Sequence, residues 1–294
     1  MGTPKAALEW HGATLLHRTV SIVARATSGP VVVVRALGQD LPEPLPAGVL
    51  VVDDPREGKG PVQGIAAGLA ALAGRAETAF IASTDLPFLH PAFIRRVLRG
   101  LSDAGQGVCL PVARGYPQPL AAAYRVALAE TAERLVKEGR LRPAFLFAEC
   151  AVNRLDDAEL LADPVLAALD PHLDSLLNVN EPADYAAARA RPAPEVTVQL
   201  FGPLARATAS AAKAPAGTVP AGTVPAGTAP ARNAGGRGPR AVRAATVGEA
   251  ASAVGLPRDR HVAAVLNGDQ ITRDPLTPLA AGDTVFFMSA DAGG

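Results

Sequence analysis

The chain has 294 residues, with 28 Lys and Arg against 28 Asp and Glu, 49% hydrophobic residues and 4% aromatic ones. At about 150 residues per domain this length reads as two domains with ample chain to bury a core, and the zero formal charge argues against a nucleic-acid binder, which needs a standing excess of Lys and Arg. Two cysteines, Cys109 and Cys150, exclude a disulfide framework and suit a cytoplasmic, reducing setting; the longest apolar run, Val62 to Ala73, falls short of the ~20 residues of a bilayer span, and Lys5, Glu9 and His11 break any signal-peptide core.

In chain order, Val31 to Val34 and Val49 to Val52 read as two strands joined by a connector carrying Pro42, Pro44 and Pro46. Continuous β-branched runs fit strands buried on both faces, as in a parallel sheet. Pro61 suits a first helical turn, and Ile65, Leu69 and Leu72 recur at helical spacing up to Ala73. Thr78 to Ser83 is a third strand, running into Thr84-Asp85-Leu86-Pro87. A helix follows from Pro91 through Ile94, Val97, Leu98 and Leu101, then a strand from Gly107 to Val112. The alternation predicts an α/β fold with a mostly parallel sheet. Pro182 to Arg189 reads as a helix closing the first domain, and 191–195 as the linker to the second.

The second domain opens with a strand, Val196 to Phe201, and then meets Pro-Ala-Gly-Thr repeats from Pro215 to Ala229. Such composition buries too little side chain to offset its ordering entropy, so 207–241 is predicted to be a disordered insertion. It carries basic residues and no acidic one, which fits a solvated loop or a tether for an anionic partner. Thr246, with Glu249 three residues on, predicts a capped helix to Val254, followed by strands His261 to Leu266 and Thr284 to Met288. The domain reads as small and α+β.

Asp85 ends a buried strand, where ligands of open α/β sheets sit. A carboxylate there can hold Mg²⁺ against substrate phosphates; a turn or helix-capping Asp is the plain alternative. Gly58-Lys59-Gly60-Pro61 enters a helix without bulk, so backbone N–H groups can face an anion or a base. Asp53 and Asp54 end the preceding strand beside the same crevice, and Asn178-Val179-Asn180-Glu181-Pro182 sets two amides before a helix, where capping alone would also favour Asn.

In order, these pieces resemble the MobA-like nucleotidyltransferases (molybdenum cofactor guanylyltransferases). Met1-Gly2-Thr3-Pro4-Lys5 matches the end of their glycine-rich signature, Gly60-Pro61-Val62-Gln63-Gly64 their GPLAG segment and Ser83-Thr84-Asp85-Leu86-Pro87 their CDxP. Gln118-Pro119-Leu120 with Tyr124-Arg125 resembles their QPL-to-YR segment, and Asn178 to Pro182 their NxNTP. The resemblance covers residues 1–190 and implies a Rossmann-like, nucleotide-diphospho-sugar transferase-type fold. It implies that Lys5 and Asp85 are catalytic, that Lys5, Asp53, Gly60, Pro61, Gly64 and Asp85 bind GTP, and that Asp85 binds Mg²⁺. Gln118, Pro119, Asn178 and Asn180 would hold the acceptor, the molybdopterin cofactor. The family pattern begins with a strand and a glycine-rich loop ahead of the segment matched at Met1, which reads as a start assigned too late or as a weakened nucleotide site.

The second domain resembles the MoaD/ThiS sulfur carriers through Val196 to Phe201, Thr246 to Glu249, Leu266-Asn267-Gly268, Pro278-Leu279 and Gly282 to Val285, ending in Gly293-Gly294. That implies a ubiquitin-like β-grasp fold over 196–294 and a thiocarboxylate on Gly294, made by an adenylating activating enzyme and delivered to a sulfur acceptor synthase subunit. Together the halves imply a molybdenum cofactor biosynthesis protein. A cytidylyltransferase on the same fold, and a carrier fused to an inactive transferase remnant, are the alternatives.

Overall fold

The computed structural model describes residues 4–54, 60–101, 105–202, 204, 238–256 and 262–289. Expectations placed on Met1 to Thr3, Gly58, Lys59, the repeats at 215–229, His261 and Gly294 lie outside those residues. The chain divides into two compact units, Met1–Pro192 and Ala193–Gly294.

The first unit opens with a short hairpin, β1 (Glu9–Trp10) and β2 (Ala13–Thr14), leading into α1 (Leu15–Ala26). Thr14 caps that helix, its side chain accepting from the His17 N–H at 3.1 Å. Strands β3 (Val32–Ala36) and β4 (Leu50–Asp54) pair in parallel. Helix α2 (Pro61–Leu72), strand β5 (Thr78–Ala82), helix α3 (Pro91–Arg99) and strand β6 (Val108–Ala113) follow, each within two residues of its predicted limits. Beyond lie β7 (Tyr116–Pro117), β8 (Ala121–Arg125), α4 (Ala129–Lys137), α5 (Pro143–Phe147), β9 (Val152–Asp156), α6 (Asp157–Leu161), α7 (Pro164–Leu169) and α8 (Pro182–Arg189).

The sheet keeps the mostly parallel arrangement expected, with β8 reversed. Strands β5, β6 and β9 share one direction, but β8 runs against them between β5 and β6, so its two pairings are antiparallel; β6–β9 is parallel. The chain returns from β6 through the short β7 directly into β8, which leaves no helical crossover to reverse its direction. Side chains of β8 alternate between two cores: Ala121 and Ala123 meet Phe80, Phe93, Ile94 and Val97, whereas Ala122 and Tyr124 meet Ile65, Leu69 and Leu135. The sheet is thus covered on both faces, by α1 and α3 on one side and by α2 and α4 on the other. Gly100 packs so closely on β6 that a Cβ there would lie 2.3 Å from the Cys109 Sγ.

Strands β3 and β4 form a ribbon of their own, with no strand pairing to β5 among the described residues. Between β3 and β5 lies a cavity of about 810 Å³, walled by Leu16 and Val20 of α1 and by Ile65, Gly68 and Leu69 of α2.

Helix α7 shows how local electrostatics fix an end. Asp163 accepts from the Val165 and Leu166 N–H groups, both at 3.0 Å, and pairs with Arg99. Burial raises its carboxyl pKa, but the Leu166 N–H, the Arg99 guanidinium and the Val165 N–H outweigh it and hold the group below its ordinary value. A lowered folded-state pKa gives stability that is present above the unfolded value and is lost as pH falls through the folded one. Asp163→Ala is therefore expected to cost about 1 kcal/mol at pH 7, and the gap from wild type in denaturant titrations should shrink towards pH 3. A gap independent of pH would refute this.

The second unit is a five-stranded sheet in the order β11 (Arg240–Arg243), β10 (Glu195–Leu200), β14 (Thr284–Ser289), β12 (Val262–Leu266), β13 (Gln270–Thr272). Only the central β10–β14 pair is parallel. Helix α9 (Val247–Ala253) packs Val247, Ala250 and Ala251 on Val196, Val198, Val285 and Phe287. Thr246 caps it by accepting from the Glu249 N–H at 3.2 Å; the Glu249 carboxylate accepts from Ala245, one residue ahead of the expected capping-box partner. Strand β11 corrects the predicted insertion, since Arg240 and Ala241 pair with Val198 and Thr197 rather than belonging to a disordered run. No helix among the described residues is long and apolar enough to cross a membrane.

Candidate active site at the carboxyl end of strand β5

Strand β5 delivers Asp85 through Ser83 and Thr84. The Asp85 side chain is 16% exposed, and three elements converge on it. The Ser83 hydroxyl donates to Oδ1, and the Lys5 ammonium stands 3.4 Å from Oδ2. Lys5 also donates to the Asn180 side-chain oxygen at 2.7 Å. The Asn180 loop is tied in by the Val179 N–H, which donates to the Asp85 carbonyl at 2.9 Å, and by Asp184, which accepts from the N–H groups of Asn180 and Glu181. Residues 80 and 175 positions apart thus meet at one strand end.

Helix α1 braces the turn. Arg18, 8% exposed, donates from Nε to the Pro87 carbonyl at 2.6 Å. Its position inside an amphipathic pattern gave the sequence no signal; Ser83 likewise looked like the last residue of a strand.

Gln118 and Pro119 reach the same rim, because the Ser83 N–H donates to the Leu120 carbonyl at 2.9 Å. The Pro119 carbonyl is occupied by the buried Tyr124 hydroxyl at 2.7 Å; burial raises that phenol's pKa far above its ordinary value. Gln118 leans on the Tyr116 carbonyl at 3.3 Å. Asn178 is exposed, and no contact joins its side chain to Lys5 or Asp85 among the described residues.

Around α2, Gly60 is the N-cap with φ +79°, and a Cβ there would press to 3.3 Å on the Leu141 carbonyl, so two constraints favour glycine. Pro61 and Gly64 line the cavity with Asp54, Ser83 and Thr84. Asp54, not Asp53, engages α2, accepting from the Gln63 carboxamide. Asp53 pairs with Arg35 instead. Cys109 is fully buried, out of reach of a substrate, and burial pushes its thiol pKa up to about 11.

Among the described residues no three His, Cys, Asp or Glu side chains cluster as a metal cage. A single carboxylate can serve Mg²⁺ when substrate phosphates and water complete its shell; here the Asp85 carboxylate is paired with the Lys5 ammonium. Ligands of open α/β sheets bind at the carboxyl ends of the strands, and a carboxylate and an ammonium brought together there suit the positioning of phosphate groups.

Comparison with known proteins assigns the family. The pattern of the MobA-like NTP transferase domain matches residues 1–157. A probable molybdenum cofactor guanylyltransferase of Mycobacterium avium is 33% identical over 190 residues, spanning 64% of this chain and 87% of that protein. One from Opitutus terrae is 35% identical over 140 residues, spanning 47% and 67%. Among solved structures, molybdopterin-guanine dinucleotide biosynthesis protein A of Archaeoglobus fulgidus is 21% identical, with a TM-score of 0.49, over 64% of this chain and 90% of that one. The chain belongs to the MobA-like NTP transferase domain family and is a nucleotidyltransferase of the type those guanylyltransferases represent.

Proposed function

We propose that the first unit transfers GMP from GTP to the terminal phosphate of the molybdopterin cofactor. An acceptor phosphate oxygen forms a bond to the α-phosphorus, the bond from that phosphorus to the β-phosphate oxygen breaks, and pyrophosphate leaves. The observation carrying this reading is the Lys5–Asp85–Asn180 cluster beside the Gln118 loop. Asp85 would hold Mg²⁺, which when bound supplies positive charge to the phosphate oxygens. Lys5, within reach of Asp85, is placed to neutralise charge growing on the leaving pyrophosphate, and Asn180 holds its ammonium in position. Gly60 and the start of α2 offer N–H groups to the nucleotide, and the Gln118–Pro119 and Asn180 loops flank the acceptor side. The test is transfer of α-labelled GMP to molybdopterin cofactor with Mg²⁺. Labelled dinucleotide with one pyrophosphate per turnover is expected; folded protein that transfers no label from any nucleoside triphosphate would overturn the reading.

For the second unit, the sheet order, with one central parallel pair and one packed helix, supports a β-grasp sulfur carrier. Its Gly294 would be adenylated by an activating enzyme, then thiocarboxylated, and would deliver sulfur to an acceptor synthase subunit. Deleting Gly294 is expected to abolish the mass gain of the thiocarboxylate while leaving nucleotidyl transfer unchanged. A deletion variant that still donates sulfur would refute the carrier role.

A further inference from the structure

The turn that carries Asp85 is held by a charge buried beneath it. Pro87 has its φ fixed by the ring, and Leu86 ahead of it is confined to extended backbone, so residues 85–87 have little freedom of their own. Each of their carbonyls is also engaged. That of Asp85 accepts from the Val179 N–H at 2.9 Å, that of Leu86 from the Leu89 N–H at 3.1 Å, and that of Pro87 from Arg18 Nε at 2.6 Å. The first two donors are backbone groups; Arg18 is the side-chain member of the set, and it is 8% exposed.

A buried guanidinium costs desolvation, and a packed apolar side chain in its place often leaves a protein as stable or more so. What the arginine adds is a short, charge-assisted bond of fixed direction. Ile22, one turn further along α1, faces the same way and packs in the core that holds Leu86 and Leu89. Leu16 and Val20 of the same helix pack with Ala6, the neighbour of Lys5. Helix α1 therefore supports both members of the Lys5–Asp85 pair, one through Ala6 and the other through Pro87.

We propose that Arg18 is a positioning residue for nucleotidyl transfer: through Pro87 it sets the place of the Asp85 carboxylate relative to the Lys5 ammonium, 3.4 Å away. This rests on the reading of Asp85 and Lys5 as the pair that handles the phosphates, and deepens it. Transfer depends on where these charges stand as the bond to the α-phosphorus forms, and a displacement of about 1 Å at such a group can cost about 10²-fold in rate. Nucleotide binding also draws on Gly60 and the start of α2, which this turn does not hold. A shifted Asp85 therefore lowers kcat more than it raises KM.

The test is a double-mutant cycle on the full chain, with transfer of α-labelled GMP at saturating Mg²⁺ and a thermal melt read side by side. Arg18→Met, which keeps the bulk and loses the donor, is expected to lower kcat about 10- to 100-fold, with KM for GTP within about threefold of wild type. Arg18→Lys, which keeps a charged donor, should recover part of that loss. In the Asp85→Asn background Arg18→Met should lower kcat no further, whereas its effect on the melting temperature should be the same in both backgrounds. Where Arg18→Met does not fold, Arg18→Lys takes its place in the cycle, and its smaller loss should likewise vanish beside Asp85→Asn. A full additional loss of kcat beside Asp85→Asn would overturn the proposal. Wild-type kcat in folded Arg18→Met, with Asp85→Asn inactive, would sink the positioning role alone. Wild-type turnover in Asp85→Asn would sink the reading of the site itself, and a wild type that transfers nothing would sink both.

Discussion

Asp85→Asn is expected to lower kcat/KM for nucleotidyl transfer by at least about 10³-fold, roughly 4 kcal/mol of transition-state stabilisation. The asparagine keeps the shape of the side chain and can still accept from Ser83 and from Lys5, the two groups that meet the carboxylate. The melting temperature should therefore move little while turnover collapses. The loss should persist at saturating Mg²⁺, because the missing charge belongs to the protein ligand and not to the supply of metal. Steady-state pyrophosphate release, read beside a thermal melt, checks both halves. Turnover within a few-fold of wild type would remove Asp85 from the machinery.

Phe93→Ala carries the largest expected effect on stability. Phe93 is fully buried at the start of α3 and meets Phe80 of β5 edge to face, with ring centroids 6.3 Å apart. Removing it opens a cavity against the strand that presents Asp85, at a cost of about 3–5 kcal/mol. For a unit of this size that lowers the melting temperature by roughly 8–15 °C. Calorimetry should show this transition shifting while that of the second unit stays in place. A shift of the second transition by the same amount would mean that the two units do not melt independently.

The legible parts of the molecule were those where one residue type permits one role. The valine runs of β3 and β4, Pro61 at the first turn of α2 and Asp85 at a strand end all carry their reasons locally. Helix α1 was not legible, because its buried positions include His17, Arg18 and Thr19, whose polar groups find partners only in the folded chain. The direction of β8 was hidden for a related reason: a strand covered on both faces is apolar throughout, whichever way it runs. Within the site, Lys5, Asp85 and Asn180 meet as the motif order implied. Asn178 stays apart, and Asp53 turns to Arg35 because adjacent strand residues point to opposite faces and Asp54 takes the α2 side.

The reversed strand β8 also shapes how this unit opens. A sheet transmits stiffness sideways through its ladder of backbone hydrogen bonds, and β8 is bonded to β5 along one edge and to β6 along the other. Side chains on both of its faces are buried as well, so no local fluctuation frees its amides without opening the cores above and below. Backbone amides of β8 should therefore exchange their protons more slowly than those of β9, which among the described residues is bonded along one edge. Asp85 leaves the sheet from β5, the neighbour of that strand, so the turn that carries it is anchored to the slowest-opening part of the unit.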